Sequence, residues 1–308
     1  LAVRPGVLGV TSATPNGSYG PGQTIDVRVQ FSENVNVTGG PYLLLETGAT
    51  NRQAVFVSAG ADTLVLQYMV QAGDTSPDLD YVATDSLYAN GGTIRDTSGN
   101  DAVLALSQNG YPGSLSNSKD IVIDTTAPNA PNVTGTTPNN SATPTWNWTS
   151  GGGGNGNFRC QIDSESGTWN TTTNTFFTPA SPLGEGTHTL YVQERDAANN
   201  WSASGSFAIV IDLTAPNAPT VTGASPTNST QPTWYWSSNG GGNGNYRCKL
   251  DDANLEAGAT ATTQLFFIPA SPLGTGSHTL YVQERDAAGN WSASGSHAIV
   301  IDTTTPAP

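Results

Sequence analysis

The sequence has few charged residues and few cysteines, and each shortage excludes a class of protein. Only 11% of its 308 residues are charged, and no segment places apolar residues at helical spacing, which argues against a helical fold. No apolar run is long enough to span a membrane, and no signal peptide or lipidation motif is present. The two cysteines, Cys160 and Cys248, occupy equivalent positions of two repeats, so we expect buried, inert thiols rather than a disulfide.

Basic residues are also scarce, which bears on the partners of the chain. The formal net charge is -14, from 24 acidic and 10 basic residues, and Lys119 and Lys249 are the only lysines. Such a chain repels DNA, RNA and anionic lipid, so we expect neither nucleic-acid binding nor membrane insertion. The acidic excess serves either solubility or the binding of cations.

Glycine, proline and polar turn residues are abundant, and the chain repeats itself. Residues 180–212 and 270–302 differ at only four of thirty-three positions, which are 185/275, 187/277, 199/289 and 207/297. A period near 90 residues fits a whole small domain. The phrase Val-Ile-Asp closes residues 1–124 as well as both repeats. The predicted modules are therefore module 1 (1–124), module 2 (125–212) and module 3 (213–302), followed by a linker or tail (303–308).

Alternating apolar and polar residues predict strands in every module. Module 1 shows the alternation at 24–31, 54–58, 63–70 and 120–124, and modules 2 and 3 each contain six or seven short strand-like runs. This number of strands in about 90 residues is typical of an immunoglobulin-like or fibronectin-like sandwich. The predicted fold class is all-β, with three tandem Ig-like/fibronectin III-like antiparallel β-sandwiches in a linear array.

Paired tryptophans mark one strand of each repeat. Trp146 and Trp148, like Trp234 and Trp236, are two residues apart and therefore share a face. Packing in the core is the favoured interpretation, and an exposed sugar-stacking platform is the alternative. Trp201 and Trp291 follow a turn, where we expect them to cover one end of each sandwich.

Motifs that would indicate an enzyme fail on inspection. The glycine run at 151–156 fits a dinucleotide-binding motif by letter, but a strand follows it instead of a helix, so it is a loop. The three histidines are His188, His278 and His297. His188 and His278 are repeat equivalents in different modules and cannot form one metal site without another copy of the chain, so surface or edge-strand positions are expected. No nucleophile–base pair can be assembled, and we expect no catalytic activity.

One pattern of acidic and amide residues occurs in all three modules. In modules 2 and 3 a strand ends in Glu-Arg-Asp, with asparagine four residues after the aspartate, and module 1 repeats the Asp–Asn spacing. Carboxylate and amide oxygens are ligands that Ca²⁺ prefers. The alternative is an ordinary turn in which aspartate accepts backbone N–H bonds. The candidate ligands in these turns are Asp96, Asn100, Glu194, Asp196, Asn200, Glu284, Asp286 and Asn290.

Topology predicts what these turns meet. In an antiparallel sandwich the last strand leaves at the end opposite to the preceding turn, so Asp124 should meet the turn of module 2, and Asp212 that of module 3. We therefore predict one inter-domain Ca²⁺ at each joint, held between the outgoing aspartate and the incoming turn. Further candidate ligands are Asp302 at the exit of module 3 and the module 1 acids Glu33, Asp74, Asp78 and Asp80.

At these motifs the sequence resembles the tandem bacterial Ig-like domains of large calcium-dependent surface adhesins, their extender repeats. The matching segments are Val29–Gly39, Leu87–Asn100, Gly186–Leu190, Asp196–Asn200 and Asp212–Pro216. The resemblance covers the whole chain and implies calcium at the joints. The sequence departs from the pattern in having no second cysteine near Trp169 and in having Asn199 where the turn usually has glycine.

The predicted function is that of a non-catalytic extracellular structural or adhesion protein, secreted or on the bacterial cell surface. Its joints would be rigidified by Ca²⁺, and its partners would be neighbouring Ig-like domains of the same or a further chain. One alternative is a homopolymer, in which chains stack head to tail into a filament or S-layer. Another is a carbohydrate-binding accessory module, which requires an exposed Trp146 or Trp234.

Overall fold

The computed structural model describes residues 4–305, which form 25 strands and a single helical turn. The fold is therefore all-β, as the sequence predicts. Within these residues no helix is long and apolar enough to cross a membrane. Most buried apolar residues form three separate clusters, which lie within residues 10–123, 133–211 and 221–299.

Module 1 contains eleven of the strands and the helical turn α1. The large sheet has the strand order β1-β3-β7-β6-β5-β9, and two small sheets have the orders β10-β4 and β2-β11-β8. The elements are β1 (Val7–Ser12), β2 (Gly17–Tyr19), β3 (Thr24–Phe31), β4 (Asn36–Thr38), β5 (Tyr42–Leu45), β6 (Arg52–Ala59), β7 (Thr63–Met69), β8 (Thr75–Ser76), β9 (Leu87–Tyr88), β10 (Thr93–Arg95), α1 (Leu115–Ser118) and β11 (Ile121–Asp124).

Alternation explains the central strands of module 1. Ile25, Val27 and Val29 of β3 are fully buried and face the core, while the residues between them face outwards. The predicted strand at 24–31 coincides with β3. The turn α1 was not indicated by periodicity, because four residues are too few to show a helical repeat. Ser114 caps it by accepting a hydrogen bond from the Asn117 N–H at 3.2 Å.

Modules 2 and 3 each consist of seven strands in two facing sheets. A three-stranded sheet (β12-β13-β16, β19-β20-β23) opposes a four-stranded one (β15-β14-β17-β18, β22-β21-β24-β25). Module 2 has β12 (Asn132–Thr134), β13 (Trp146–Thr149), β14 (Asn157–Ile162), β15 (Asn170–Thr172), β16 (Phe176–Phe177), β17 (Gly186–Arg195) and β18 (Gly205–Ile211). Module 3 has β19 (Thr220–Gly223), β20 (Trp234–Ser237), β21 (Asn245–Leu250), β22 (Thr260–Thr262), β23 (Phe266–Phe267), β24 (Gly276–Arg285) and β25 (Gly295–Ile301).

The paired tryptophans form the centre of each repeat core. Trp146 and Trp234 are 0% exposed, and Trp148 packs edge-on against Phe158 with ring centroids 5.9 Å apart. The indole N–H of Trp146 donates to the Phe207 carbonyl at 3.0 Å, which satisfies its polar atom inside the sandwich. The core interpretation is confirmed, and a sugar platform on Trp146 or Trp234 is wrong because neither ring reaches solvent.

Both cysteines are buried free thiols, as expected. Cys160 and Cys248 lie on β14 and β21, among the apolar residues of their own modules. Burial raises the pKa of each thiol above its ordinary value, which disfavours the reactive thiolate. These cysteines therefore contribute as small apolar residues.

Candidate functional site: the joints between modules

The turn after β17 is built by one aspartate and one asparagine. The Asp196 Oδ1 accepts the backbone N–H of Asn200 at 2.8 Å, and its Oδ2 accepts the side-chain N–H of Asn200 at 2.8 Å. Asp286 and Asn290 repeat both contacts after β24, again at 2.8 Å. Each aspartate is 5% exposed, so these hydrogen bonds replace the water that the carboxylate loses on folding.

The same asparagines reach into the preceding module. The Asn200 Nδ2 donates to the carbonyl of Asp124, the last residue of β11, at 2.9 Å. The Asn290 Nδ2 donates to the carbonyl of Asp212 at 2.8 Å. Each joint therefore has an Asn clamp, which we define as one asparagine that binds the aspartate of its own turn and the exit aspartate of the module before it. The structure contains the juxtaposition that topology predicts.

Backbone packing brings the two modules close at the first joint. A Cβ added at Gly20 of module 1 would lie 2.7 Å from the Ala198 carbonyl oxygen of module 2, closer than a side chain tolerates. The exit strand is capped locally, because the Asp124 Oδ1 accepts the Thr126 N–H at 2.9 Å. Asp212 caps Thr214 in the same manner at 3.1 Å. The short contacts and the cap define the direction in which the linker leaves.

The glutamates of the pattern have their hydrogen-bond donors within their own modules, in and beside the glycine-rich loop, and their role as calcium ligands stays a prediction. Glu194 is 1% exposed, and its carboxylate accepts from the Ser150 hydroxyl at 2.5 Å and from the Gly156 N–H at 3.1 Å. Glu284 is equally buried and accepts from the Gly244 N–H at 3.3 Å. The alternation of β17 and β24 buries each glutamate in its own module, where the glycine-rich loop supplies hydrogen-bond donors.

In module 1 the turn forms, but the other acids do not join it. Asp96 accepts from Asn100 Nδ2 at 2.7 Å, as in the repeats. Asp74 instead lies beside the exit linker at the opposite end, paired with Arg52 at 2.8 Å. Asp80 is held by the Ser116 hydroxyl at 2.6 Å. Asp74 and Asp80, two of the candidate ligands in module 1, therefore do not join the Asp96 turn, because each is buried against its own hydrogen-bond donors.

Three further predicted ligands remain separate. Glu33 is half-buried, and its Oε1 has no hydrogen-bond partner among residues 4–305. Burial raises the pKa of Asp78. Asp302 is exposed and accepts from the Thr304 hydroxyl and N–H at 2.6 and 2.9 Å, and these bonds lower its pKa. Asp302 thus repeats the cap of Asp124 at the exit of module 3.

Hydrogen bonding keeps two of the turn aspartates, Asp96 and Asp286, in their charged form. Burial alone would raise the pKa of Asp286, but bonds from Asn290, Gly289 and Ala288 outweigh it and lower the pKa below its ordinary value. The bond from Asn100 lowers the pKa of Asp96 in the same direction. A carboxylate that accepts several N–H bonds is stabilised as the anion. The turns therefore present negative charge near neutral pH.

The donor chemistry of the joint suits calcium only in part. Asp196, Asn200 and Asp124 offer carboxylate, amide and carbonyl oxygens, the kinds of ligand that Ca²⁺ takes. However, the Asn200 NH₂ group already lies between the Asp196 carboxylate and the Asp124 carbonyl. Among residues 4–305 no group of three or more His, Cys, Asp or Glu side chains could hold a metal ion. The calcium site at each joint therefore stays a prediction, to which the first joint contributes two aspartates and one asparagine.

Two features of the repeats were missed from the sequence. The glycine-rich loop covers the buried glutamate, and a Cβ at Gly154 would overlap the Glu194 carboxyl group. His188 contacts Asp163 at 2.7 Å between Nδ1 and Oδ2, and His278 repeats this contact with Asp251. Both repeats contain the glycine-rich loop and the histidine, and this repetition was a sign that they matter. Their partners, Glu194 and Asp163, could not be inferred because they are distant in the sequence.

Comparison with protein families identifies the third module. Residues 217–303 match the family described as bacterial Ig-like domain. Module 2 repeats this module almost residue for residue over its last two strands. Residues 217–303 thus match a bacterial Ig-like domain, a kind of domain that is typically non-catalytic, and module 2 shares their sequence pattern. A search of curated proteins finds no match.

Solved structures with a similar chain of domains include titin domains A168–A170, with 11% identity over 97% of this chain and 99% of that one at a TM-score of 0.38. A tetra-tandem repeat from the extending region of a large adhesion protein has 16% identity; the match covers 98% of this chain and 75% of that one, with a TM-score of 0.36. A two-domain fibronectin type III segment of chicken tenascin has 12% identity; the match covers 55% of this chain and 98% of that one, with a TM-score of 0.25.

Proposed function

We propose, from the premise that the chain is a tandem array of bacterial Ig-like domains, that it is a structural or adhesive spacer outside the bacterial cell. The observation that supports this proposal is the repeated Asn clamp. The two joints use the same three residues, one asparagine and two aspartates, at matching distances of 2.8–2.9 Å. A repeated joint is expected where the orientation between modules matters to the function.

Calcium is the finer part of the proposal. When bound, Ca²⁺ would supply positive charge between the exit aspartate and the turn, held by Asp124, Asp196 and Asn200 at the first joint. It would replace the direct amide contact by stronger ion–oxygen contacts. Extracellular modules bind calcium with a Kd of roughly 10⁻⁴–10⁻³ M, so the site would fill only outside the cell. At about 100 times Kd a bound ion adds about 2.7 kcal/mol of stability.

The test combines thermal unfolding with small-angle scattering, in EGTA and in excess calcium. We expect calcium to raise the melting temperature and the maximum dimension of the chain, and the double variant Asp196→Ala/Asp286→Ala to lose both responses. The matched control is Asp96→Ala, because Asp96 forms the same turn outside the two described joints. If the unaltered chain shows no response to calcium, the proposal of calcium at the joints is overturned, and the proposal of a spacer function stands without it.

One observation favours assembly into a homopolymer as a second candidate. The Asp96–Asn100 turn repeats the geometry of the joint turns, while Asp302 repeats the cap of the exit aspartates. Two chains could therefore form a third Asn clamp head to tail. Sedimentation at increasing concentration should then show open-ended growth that Asn100→Ala abolishes. A chain that stays monomeric at the highest concentration would remove this candidate.

A further inference from the structure

A groove of about 370 Å³ opens on module 2, on the outer face of its four-stranded sheet. Arg195 and Trp201 form one side of it, Asn157 lies beside them, and residues 171–173, all threonines, form the other side. Asn157 and Arg195 are directly opposite each other on β14 and β17. No acidic residue lines the groove, although the chain has 24 acidic residues against 10 basic ones.

The groove contains positive charge that the protein does not neutralise. Among residues 4–305, the Arg195 Nε is buried and has no hydrogen-bond partner. In the same part of the chain, no ion pair involves Arg195 or its neighbour Arg159. A buried donor without an acceptor is costly, and native proteins rarely leave one unless a ligand or water completes it.

Aromatic rings position these guanidinium groups. The Arg159 Cζ lies 4.3 Å from the ring centroid of Trp201 and 4.8 Å from that of Trp169, so its guanidinium contacts both indoles. The Arg195 Cζ lies 5.6 Å from the Trp201 centroid. Cation–π contacts of this kind hold a charge in place without cancelling it. The two arginines thus form a fixed positive site at the groove.

Module 3 has a groove at the equivalent place, but its arginines have acceptors. Arg247, the equivalent of Arg159, pairs with Glu256 at 2.6 Å. The Arg285 Nε, the equivalent of that of Arg195, donates to the Gly289 carbonyl at 3.2 Å. Gly289 is at one of the few positions at which the two repeats differ, and its equivalent in module 2 is Asn199. The Arg159 Nε donates to Gln193 at 2.7 Å, as the Arg247 Nε does to Gln283. Within the described residues, the two modules therefore differ in the carboxylate that only Arg247 has and in the acceptor that the Arg195 Nε lacks.

We propose that the module 2 groove binds an acidic saccharide. A planar guanidinium matches a carboxylate with two parallel N–H···O bonds, which Arg195 would supply. The threonine hydroxyls and the Asn157 amide suit sugar hydroxyl groups, and the volume lies in the range of small-molecule sites. This site goes beyond the spacer function, because it gives one module a ligand of its own. It uses no residue of the Asn clamps.

The test follows the indole N–H signals of the whole chain by NMR during titration with N-acetylneuraminic acid. Trp201→Phe assigns the Trp201 signal. We expect a saturable shift of that signal, at least a tenfold loss of affinity in Arg195→Ala, and no change in Arg285→Ala, the matched variant in module 3. Thr171→Val, which removes an exposed hydroxyl at the groove while keeping a strand-forming residue, should weaken binding without changing the spectrum elsewhere.

Neutral N-acetylglucosamine and acetate are the comparison ligands. The proposal requires both to bind at least tenfold more weakly than the acidic sugar. It is overturned if the Trp201 signal does not shift, if acetate alone reproduces the shift, or if Thr171→Val and a folded Arg195→Ala bind as the unaltered chain does. None of these outcomes affects the calcium test, because that test reads scattering and melting of joint variants.

Discussion

At the scale of single residues, the histidines of modules 2 and 3 are the clearest case of chemistry set by neighbours. The His188 Nδ1 lies 2.7 Å from the Asp163 carboxylate, and its Nε2 lies 3.1 Å from the Gly184 carbonyl. Both neighbours can only accept hydrogen bonds near neutral pH, so the ring satisfies both only when it carries two protons. Asp163 adopts a left-handed φ of 60°, a conformation that places its carboxylate in the turn.

We predict a pH dependence of stability from these histidines. The bond to Asp163 raises the pKa of His188 above its ordinary value, and the bond to Asp251 does the same for His278. A raised folded pKa gives stability that is fully present below the unfolded pKa of about 6.5 and is lost as pH rises through the folded pKa. Melting of the chain should therefore occur at lower temperature at about pH 9 than at about pH 6.

The double variant His188→Gln/His278→Gln checks this prediction. It should lose the decrease in melting temperature over that pH window, and NMR titration of the unaltered chain should place both imidazole pKa values above the ordinary one. His297→Gln is the control, because the His297 Nε2 contacts the Gly223 carbonyl and has no carboxylate among its hydrogen-bond partners in residues 4–305. An equal pH slope in the double variant would show that other groups cause it.

Single residues were predictable where one rule decided their position. The burial of Trp146 and Cys160 follows from strand alternation, and the meeting of Asn200 with Asp124 follows from antiparallel topology. The burial of Glu194 follows from the same alternation, but its partners Ser150 and Gly156 do not, because they lie 44 and 38 residues away in the sequence. Arg195 in the groove of module 2, unpaired among the residues that the structure describes, could not be predicted either. Its equivalent Arg285 donates to the Gly289 carbonyl, and no local sequence pattern shows that module 2 lacks this bond.

At the scale of elements, the glycine-rich loop before β14 acts as a lid over a buried charge. It supplies the Gly156 N–H to Glu194, and the Ser150 hydroxyl at its start supplies the second donor. A buried carboxylate without donors would cost several kcal/mol, so the loop and the glutamate stabilise each other. The prediction that this segment is a loop is confirmed. Its cover over Glu194 could not be predicted, because it depends on the packing of the loop against the end of β17.

We predict that Gly154→Ala destabilises module 2. The new methyl group would overlap the Glu194 carboxyl group, so the loop would have to move away from its donors, at a cost of about 1–3 kcal/mol. Denaturant unfolding measures this loss, and Gly242→Ala should behave equally in module 3, where Glu284 occupies the same place. Gly184→Ala is the control, because a Cβ there meets nothing within 4 Å. Equal stability of all variants would show that the lid is not closed in solution.

At the scale of the whole molecule, the modules share a fold but keep separate cores. The three clusters of buried apolar residues have no member in common, so each module can fold on its own interior. The described contacts at the joints are few, and the Asn clamp is prominent among them. The orientation between modules should therefore depend on very few atoms, while the stability of each module should not.

An insertion in the linker separates these two properties. Four residues, Gly-Ser-Gly-Ser, placed between Thr125 and Thr126 should break the contact between Asn200 and Asp124 while leaving every core intact. We expect small-angle scattering to show a wider range of dimensions, because a flexible linker lets modules 1 and 2 reorient. The same insertion between Glu165 and Ser166, in an exposed loop of module 2, is the control and should leave the distribution unchanged. If both insertions scatter like the unaltered chain, the clamp does not set the orientation, and a spacer function would have to rest on the linker itself.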